Sequence, residues 1–241
     1  MTTTHGAGAI VADRKQHFLL VRALGFGLVA VLLILVFASL AGEMREGDTR
    51  AFDMALLGAS QSLRAANPWV SEVMRDFSGL GSTVVLTLFT GITVGYLALV
   101  STRTSAFLVV ASAISGSICV SAFKAAFGRA RPETAYAEFV ATGLSFPSGH
   151  ATMSAVVFLT LGTLVASTRT LWIERTYIVC AAAFMTVLVG VSRIALGVHW
   201  ATDVIGGWAF GSAWAIAWLL MAGFLDRRHL RLEGEGSPKR K

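Results

Sequence analysis

"FPSGHATMSAVVFLTLGTLVA" (Phe146–Ala166) sets a proline, a serine, a glycine and a histidine directly against an apolar run. Read between its polar flanks, that run covers Ala151–Thr168. A bilayer-crossing helix needs roughly 20 apolar residues, so the stretch lies near the lower limit for a span. Five more apolar runs lie at Ala23–Gly42, Phe77–Thr102, Thr104–Phe123, Thr176–Ser192 and Val204–Leu225. The 241-residue chain is 55% hydrophobic and 14% charged, with a mean hydropathy of +0.68. Soluble domains carry about 25% charged residues, so too few remain here to cover a water-facing surface. The fold expected is all-α: an integral membrane bundle of six transmembrane helices forming one domain over residues 1–225. A disordered basic cytoplasmic tail is expected over residues 226–241.

The first run is weighed against a cleaved signal peptide, since "ASLAG" (Ala38–Gly42) loosely resembles a cleavage site. Its apolar core exceeds the 7–15 residues of a signal, and five further runs follow, so it reads as a span. Cys119 and Cys180 both fall within spans and read as small packing residues.

Charge sets the expected orientation. Arg14, Lys15 and Arg22 precede the first run, and Arg227, Arg228, Arg231, Lys239, Arg240 and Lys241 follow the last. Basic tails with an even number of spans place both termini in the cytoplasm. The loop after the first run carries Glu43, Glu46, Asp48, Asp53, Glu72 and Asp76 against four arginines, which suits the outer side. Within it, Phe52, Ala55, Leu56, Ala59 and Leu63 recur at helical spacing, so an amphipathic interfacial helix is expected between the first and second spans. The net charge of +6 thus reports topology. It gives no reason to invoke nucleic acid.

With that topology, the third, fourth, fifth and sixth runs deliver their polar ends to one membrane face. Lys124 and Arg131 close the third run, His150 opens the fourth, Arg193 closes the fifth, and His199 and Asp203 lead into the sixth. For Lys124 taken alone, snorkelling to headgroups is the simpler reading, and Arg129 reads first as a headgroup contact. Cations at an outer end run against the positive-inside bias, so the cluster needs another cause. Ser148 suits a helix N-cap behind Pro147, leaving first-turn N–H groups to face an anion, and Gly149 permits close approach to that backbone. His199 and Asp203 stand four apart, on one helix face, where a carboxylate can hold one ring nitrogen and leave the other basic. A metal on His150, His199 and Asp203 is conceivable, but Lys124, Arg131 and Arg193 would repel it. The same cations favour a phosphate ester.

"KAAFGRARP" (Lys124–Pro132), "PSGH" (Pro147–His150) and "SRIALGVHWATD" (Ser192–Asp203) resemble the three signature motifs of the type 2 phosphatidic acid phosphatase superfamily, without departure at a defining position. The six runs resemble its membrane lipid-phosphatase branch, that of phosphatidylglycerophosphatase B and undecaprenyl diphosphate phosphatase. The resemblance implies hydrolysis of a lipid phosphate or diphosphate at the outer interface through a phosphohistidine intermediate. It assigns His199 as nucleophile, Asp203 as its orienting acid and His150 as general acid and base. Lys124, Arg131, Ser148, Gly149 and Arg193 would bind the phosphoryl oxygens, with no metal or other cofactor. Phosphatidic acid, phosphatidylglycerophosphate and undecaprenyl diphosphate are the leading substrates. The bilayer is the other partner, and a bacterial inner membrane with the site facing outward the expected setting. Transfer of the phosphate to another lipid uses the same constellation and stays open. A lipid-phosphate or anion transporter is the rival class; it would place its charges near the midplane, often within an inverted repeat, and no repeat is visible.

Overall fold

The computed structural model describes residues 4–100 and 103–236. It is helical throughout, with no strand among the described residues. The helices are α1 (Thr4–Glu46), α2 (Arg50–Ala66), α3 (Trp69–Leu80), α4 (Thr83–Val100), α5 (Arg103–Phe127), α6 (Gly149–Ser154), α7 (Thr160–Ser167), α8 (Trp172–Ala195) and α9 (Ala201–Gly236). A π-helical turn, Ala155–Leu159, joins α6 to α7, so the two form one span, Gly149–Ser167. Among the described residues, five helices are long and apolar enough to cross a membrane. A sixth span exists if α3 and α4 count as one, although the chain bends by 45° between them.

That bend departs from the sequence reading, which runs the second span unbroken from Phe77. The break falls at Gly81. A Cβ there would overlap the Val189 side chain and lie 3.4 Å from the Cβ of His150. Close packing on α8 and on the start of α6 therefore sets the break, which hydropathy does not register. It leaves α3 as a second short helix beside α2 at the same end of the bundle. The stripe expected on α2 is present: Phe52, Leu56 and Leu63 are exposed, while Asp53, Leu57 and Arg64 are buried on the opposite side. So α2 turns an apolar face away from the bundle and a partly charged face into it.

Two apolar clusters hold the spans together. Phe37 of α1 packs on Phe123 of α5, Phe146 and Phe210 of α9, with ring centroids 5.1–5.5 Å apart. Leu86, Val109, Val157, Phe158, Leu161 and Val189 form the second cluster, tying α4, α5, α7 and α8 together. Contact between α6 and α9 is closer still, because a side chain at Gly207 or Gly211 would strike the Ser148–Thr152 backbone or the Thr152 and Ala155 side chains. Small residues at such crossings let helix backbones approach within a membrane. The outer surfaces of the spans are apolar, with Leu24, Val84 and Tyr177 each at least 73% exposed.

Past Leu225, α9 continues to Gly236, so part of the stretch expected as disordered is helical. "DRRHLRLEGEG" is rich in Arg, Leu and Glu and has no proline before Pro238, so helix propagation is opposed only by Gly234 and Gly236 at its end. Residues 237–241 of that expected tail, and the side chains of Arg14 and Lys15, lie outside what the structure describes.

Candidate active site

Four connected stretches meet at the end of the bundle capped by α2 and α3: the C-terminus of α5, the 128–148 loop that leads into α6, the α8–α9 junction, and the first turn of α9. The α8–α9 junction turns at Gly197, whose φ of +69° and whose contact with the Tyr136 backbone admit no side chain. Two residues later His199 is delivered into the interior, 2% exposed.

His199 Nδ1 lies 3.2 Å from Asp203 Oδ2, and its Nε2 lies 3.2 Å from Arg131 Nη1. A guanidinium can only donate, so Nε2 carries its lone pair toward Arg131 and Nδ1 carries the proton toward Asp203. Burial lowers the imidazole's proton affinity most, Asp203 raises it, and Arg131 and Arg193 lower it further, to a pKa of about 4. The ring is thus a neutral, oriented base at physiological pH. Asp203 is fully buried and each of its oxygens is occupied. Oδ2 accepts from Ser145 Oγ at 2.5 Å and from the Trp200 N–H at 2.9 Å, besides facing His199. Oδ1 accepts from Arg129 Nη1 at 2.6 Å.

Cations and N–H donors line the other side. Lys124 Nζ donates to the Leu144 and Ser145 carbonyls of the incoming loop. Arg131 is held by the Gly143 and Val198 carbonyls at 3.0 and 2.8 Å. Arg193 donates to Ser78 Oγ of α3 at 2.5 Å and lies over the Phe139 ring, yet its Nε is buried without a partner. Ser148 occupies the N-cap position of α6, and its own N–H is held by the Asp203 carbonyl at 3.0 Å. Its hydroxyl makes no capping bond, however, and is buried unpaired. The expected cap is therefore positional only. Half-buried His150 interacts electrostatically with Arg193, His199, Arg131 and Lys124. The two imidazoles and the three cations thus share one site.

All eight residues singled out from sequence meet here: Lys124, Arg131, Ser148, Gly149, His150, Arg193, His199 and Asp203. Sequence reasoning missed several supports. Arg129 reads from sequence as a headgroup contact; in the structure it binds Asp203. Asp53, read only as part of an acidic outer loop, is 1% exposed and paired with Arg129 at 2.6 Å. Ser78 and Ser145 also went unremarked. Ser145 stands two residues before the PSGH tetrapeptide and could have been found there, whereas nothing local marks Asp53 or Ser78.

Residues 105–227, just over half of the chain, match the model of the PAP2 superfamily. The chain belongs to that superfamily. It is 30% identical to phosphatidylglycerophosphatase B of Bacillus subtilis over 200 residues, covering 82% of this chain and 95% of that protein. A shorter stretch of 71 residues, 30% of each chain, is 41% identical to undecaprenyl-diphosphatase of Sulfolobus acidocaldarius. The fold is similar to the crystal structure of a transmembrane PAP2-type phosphatidylglycerolphosphate phosphatase from Bacillus subtilis. That similarity has a TM-score of 0.73 at 26% identity and covers 88% of this chain and 98% of the other. This PAP2 protein is accordingly an integral membrane phosphatase.

Proposed function

We propose that this PAP2 phosphatase removes phosphate from an amphiphilic lipid phosphate or diphosphate at the outer membrane interface, by way of a phosphohistidine. The observation that carries the reading is a cavity of about 630 Å³ between α4 and α5. Lys124, Gly149 and His150 line its polar end, and Leu86, Val94 and Ile114 extend it along the apolar spans. A phosphate head at the first end with a hydrocarbon tail along the second matches both chemistries. The outer orientation is supported by the basic tails and by the net acidic segment that holds α2 and α3.

In this reading His199 Nε2 attacks phosphorus, the bond from phosphorus to the leaving oxygen breaks, and His150 gives that oxygen its proton. Arg131 leaves Nε2 for a phosphoryl oxygen. The unpaired Arg193 Nε and Ser148 hydroxyl, with Lys124, take up the remaining charge; such donors act chiefly on the transition state. His150, now neutral, accepts a proton from water as that water's oxygen attacks phosphorus. The phosphorus–nitrogen bond breaks, and His199 returns with Nδ1–H still facing Asp203. The cationic side chains supply the charge stabilisation that metal ions provide elsewhere.

Phosphatidic acid, phosphatidylglycerophosphate and undecaprenyl diphosphate are the substrates to compare, the latter two because the relatives named above carry them in their names. The test is phosphate release from these three by detergent-purified protein in the presence of a chelator, with His199→Ala alongside. Release by the wild type alone is the expected result, and equal release by the variant would refute the reading.

A further inference from the structure

The closest charged neighbour of Asp203 besides His199 is Arg129, and Arg129 has a second carboxylate behind it. Asp53, from the interfacial helix α2, receives Arg129 Nη2 at 2.6 Å and the Thr202 hydroxyl at 2.7 Å on one oxygen. Its other oxygen receives the Thr202 backbone N–H at 2.9 Å, one of the unpaired donors of the first turn of α9. Arg129 Nη1 in turn donates to the Thr202 hydroxyl at 2.8 Å as well as to Asp203 Oδ1. One guanidinium therefore bridges two buried carboxylates, its side chain 14% exposed between groups that are 1% and 0% exposed. Its outer face stacks on Trp200, the residue next to His199.

The charge count explains why two acids are present. Arg129 paired with Asp203 alone would form a neutral couple, and the His199 N–H would face little negative potential. With Asp53 the trio carries a net charge of −1, so Asp203 keeps its hold on the imidazole while its own geometry is locked. Within a buried site such compensation is worth far more than at a surface.

We propose that Asp53 and Arg129 are positioning residues for phosphoryl transfer: a clamp from the interfacial helix that fixes Asp203 and, by cancelling the charge of Arg129, preserves the basicity of His199. The proposal rests on the assignment of His199 as nucleophile. It also makes α2, whose opposite stripe of Phe52, Leu56 and Leu63 is exposed, a structural part of the site.

The groups facing His199 are Asp203, Arg131, Arg193 and His150, and none of them changes in the test. Wild type, Asp53→Asn, Arg129→Gln and the double variant Asp53→Asn/Arg129→Gln are assayed with short-chain phosphatidic acid from pH 2.5 to 8. The trio carries −1 in the wild type, 0 in Asp53→Asn, −2 in Arg129→Gln and −1 again in the double variant. Asp53→Asn should lower kcat about 10- to 100-fold with KM within about twofold. The acid limb of kcat/KM should move down in Asp53→Asn and up by about one pH unit in Arg129→Gln, and should return toward the wild-type position in the double variant. Coupling of this kind is read as a double-mutant cycle. If Asp53→Asn fails to fold, the upward movement in Arg129→Gln and its reversal in the double variant still decide the matter. An unchanged pH profile across the folded variants, or a loss confined to the melting temperature, overturns the clamp. His199→Ala in the same assay separates the two failures: if it is active, the nucleophile assignment fails, and if it is inactive while the limbs do not move, only the clamp does.

Discussion

The two walls of the candidate active site differ in how their polar groups are satisfied. On the wall of His199 and Asp203, both carboxylate oxygens of Asp203 and both ring nitrogens of His199 have partners, and Arg129 and Asp53 extend the network behind them. On the facing wall, the Ser148 hydroxyl and the Arg193 Nε are buried with none. Leaving a buried donor unmatched costs about 1–3 kcal/mol, so a fold keeps one only where something else supplies the match. The saturated wall holds His199, the proposed nucleophile, in a single tautomer and direction. The unsaturated wall is ready for an anion. The proposed transfer, which forms and breaks a bond to phosphorus, needs both conditions around the reacting atom.

Breaking the saturated wall should cost most. Asp203→Asn keeps the shape of the side chain but weakens its hold on the His199 N–H, and we predict a fall in kcat of about 10³- to 10⁴-fold, with the protein still folded by circular dichroism. On the unsaturated wall the losses should be smaller and should split by charge. Arg193→Ala removes a cation together with an unmatched donor, and a drop of about 10²- to 10³-fold in kcat/KM is expected from steady-state assays. Ser148→Ala removes only a neutral hydroxyl. A loss of about 10-fold in kcat, with no loss of thermal stability, is the expected outcome, because that hydroxyl bonds to no other group of the protein.

The smallest effect sharpens the comparison through pH. In the proposed mechanism His199 must be neutral to attack, and its pKa is lowered to about 4, mainly by burial, with Arg131 and Arg193 acting in the same direction against Asp203. A lowered value keeps the nucleophile neutral as the solution acidifies. The part of the pH profile that belongs to His199 should therefore hold flat through pH 6.5, where an ordinary histidine would already be half protonated, and fall only near pH 4. Measuring kcat/KM in a Ser148→Ala background should leave this limb in place, since that hydroxyl makes no hydrogen bond to His199 or Asp203.

How far the sequence discloses these features depends on range. Lys124 with Arg131, Pro147 through His150, and Arg193 with His199 and Asp203 lie within short local stretches, so spacing and hydropathy together bring them to one face. The interfacial helix was legible for the same reason: its apolar stripe is periodic within a dozen residues. The break at Gly81 was hidden, because it sits in an apolar run and is caused by packing on Val189 and His150. Asp53 was hidden more deeply. Its partners are Arg129 and Thr202, far along the chain, and a lone acid in an acidic loop looks like topology. Ser78 escaped likewise, being defined by Arg193 across the bundle.

The most direct test of the account is chemical trapping of the intermediate. Enzyme mixed with lipid carrying a ³²P-labelled terminal phosphate, quenched within milliseconds, should yield protein-bound label that is stable to alkali and labile to acid, the behaviour of a phosphoramidate. The label should map to the peptide containing His199, should accumulate in His150→Ala where its hydrolysis is slowed, and should be absent from His199→Ala. Turnover by the wild type with no label on that peptide, or label that persists in His199→Ala, would contradict the account.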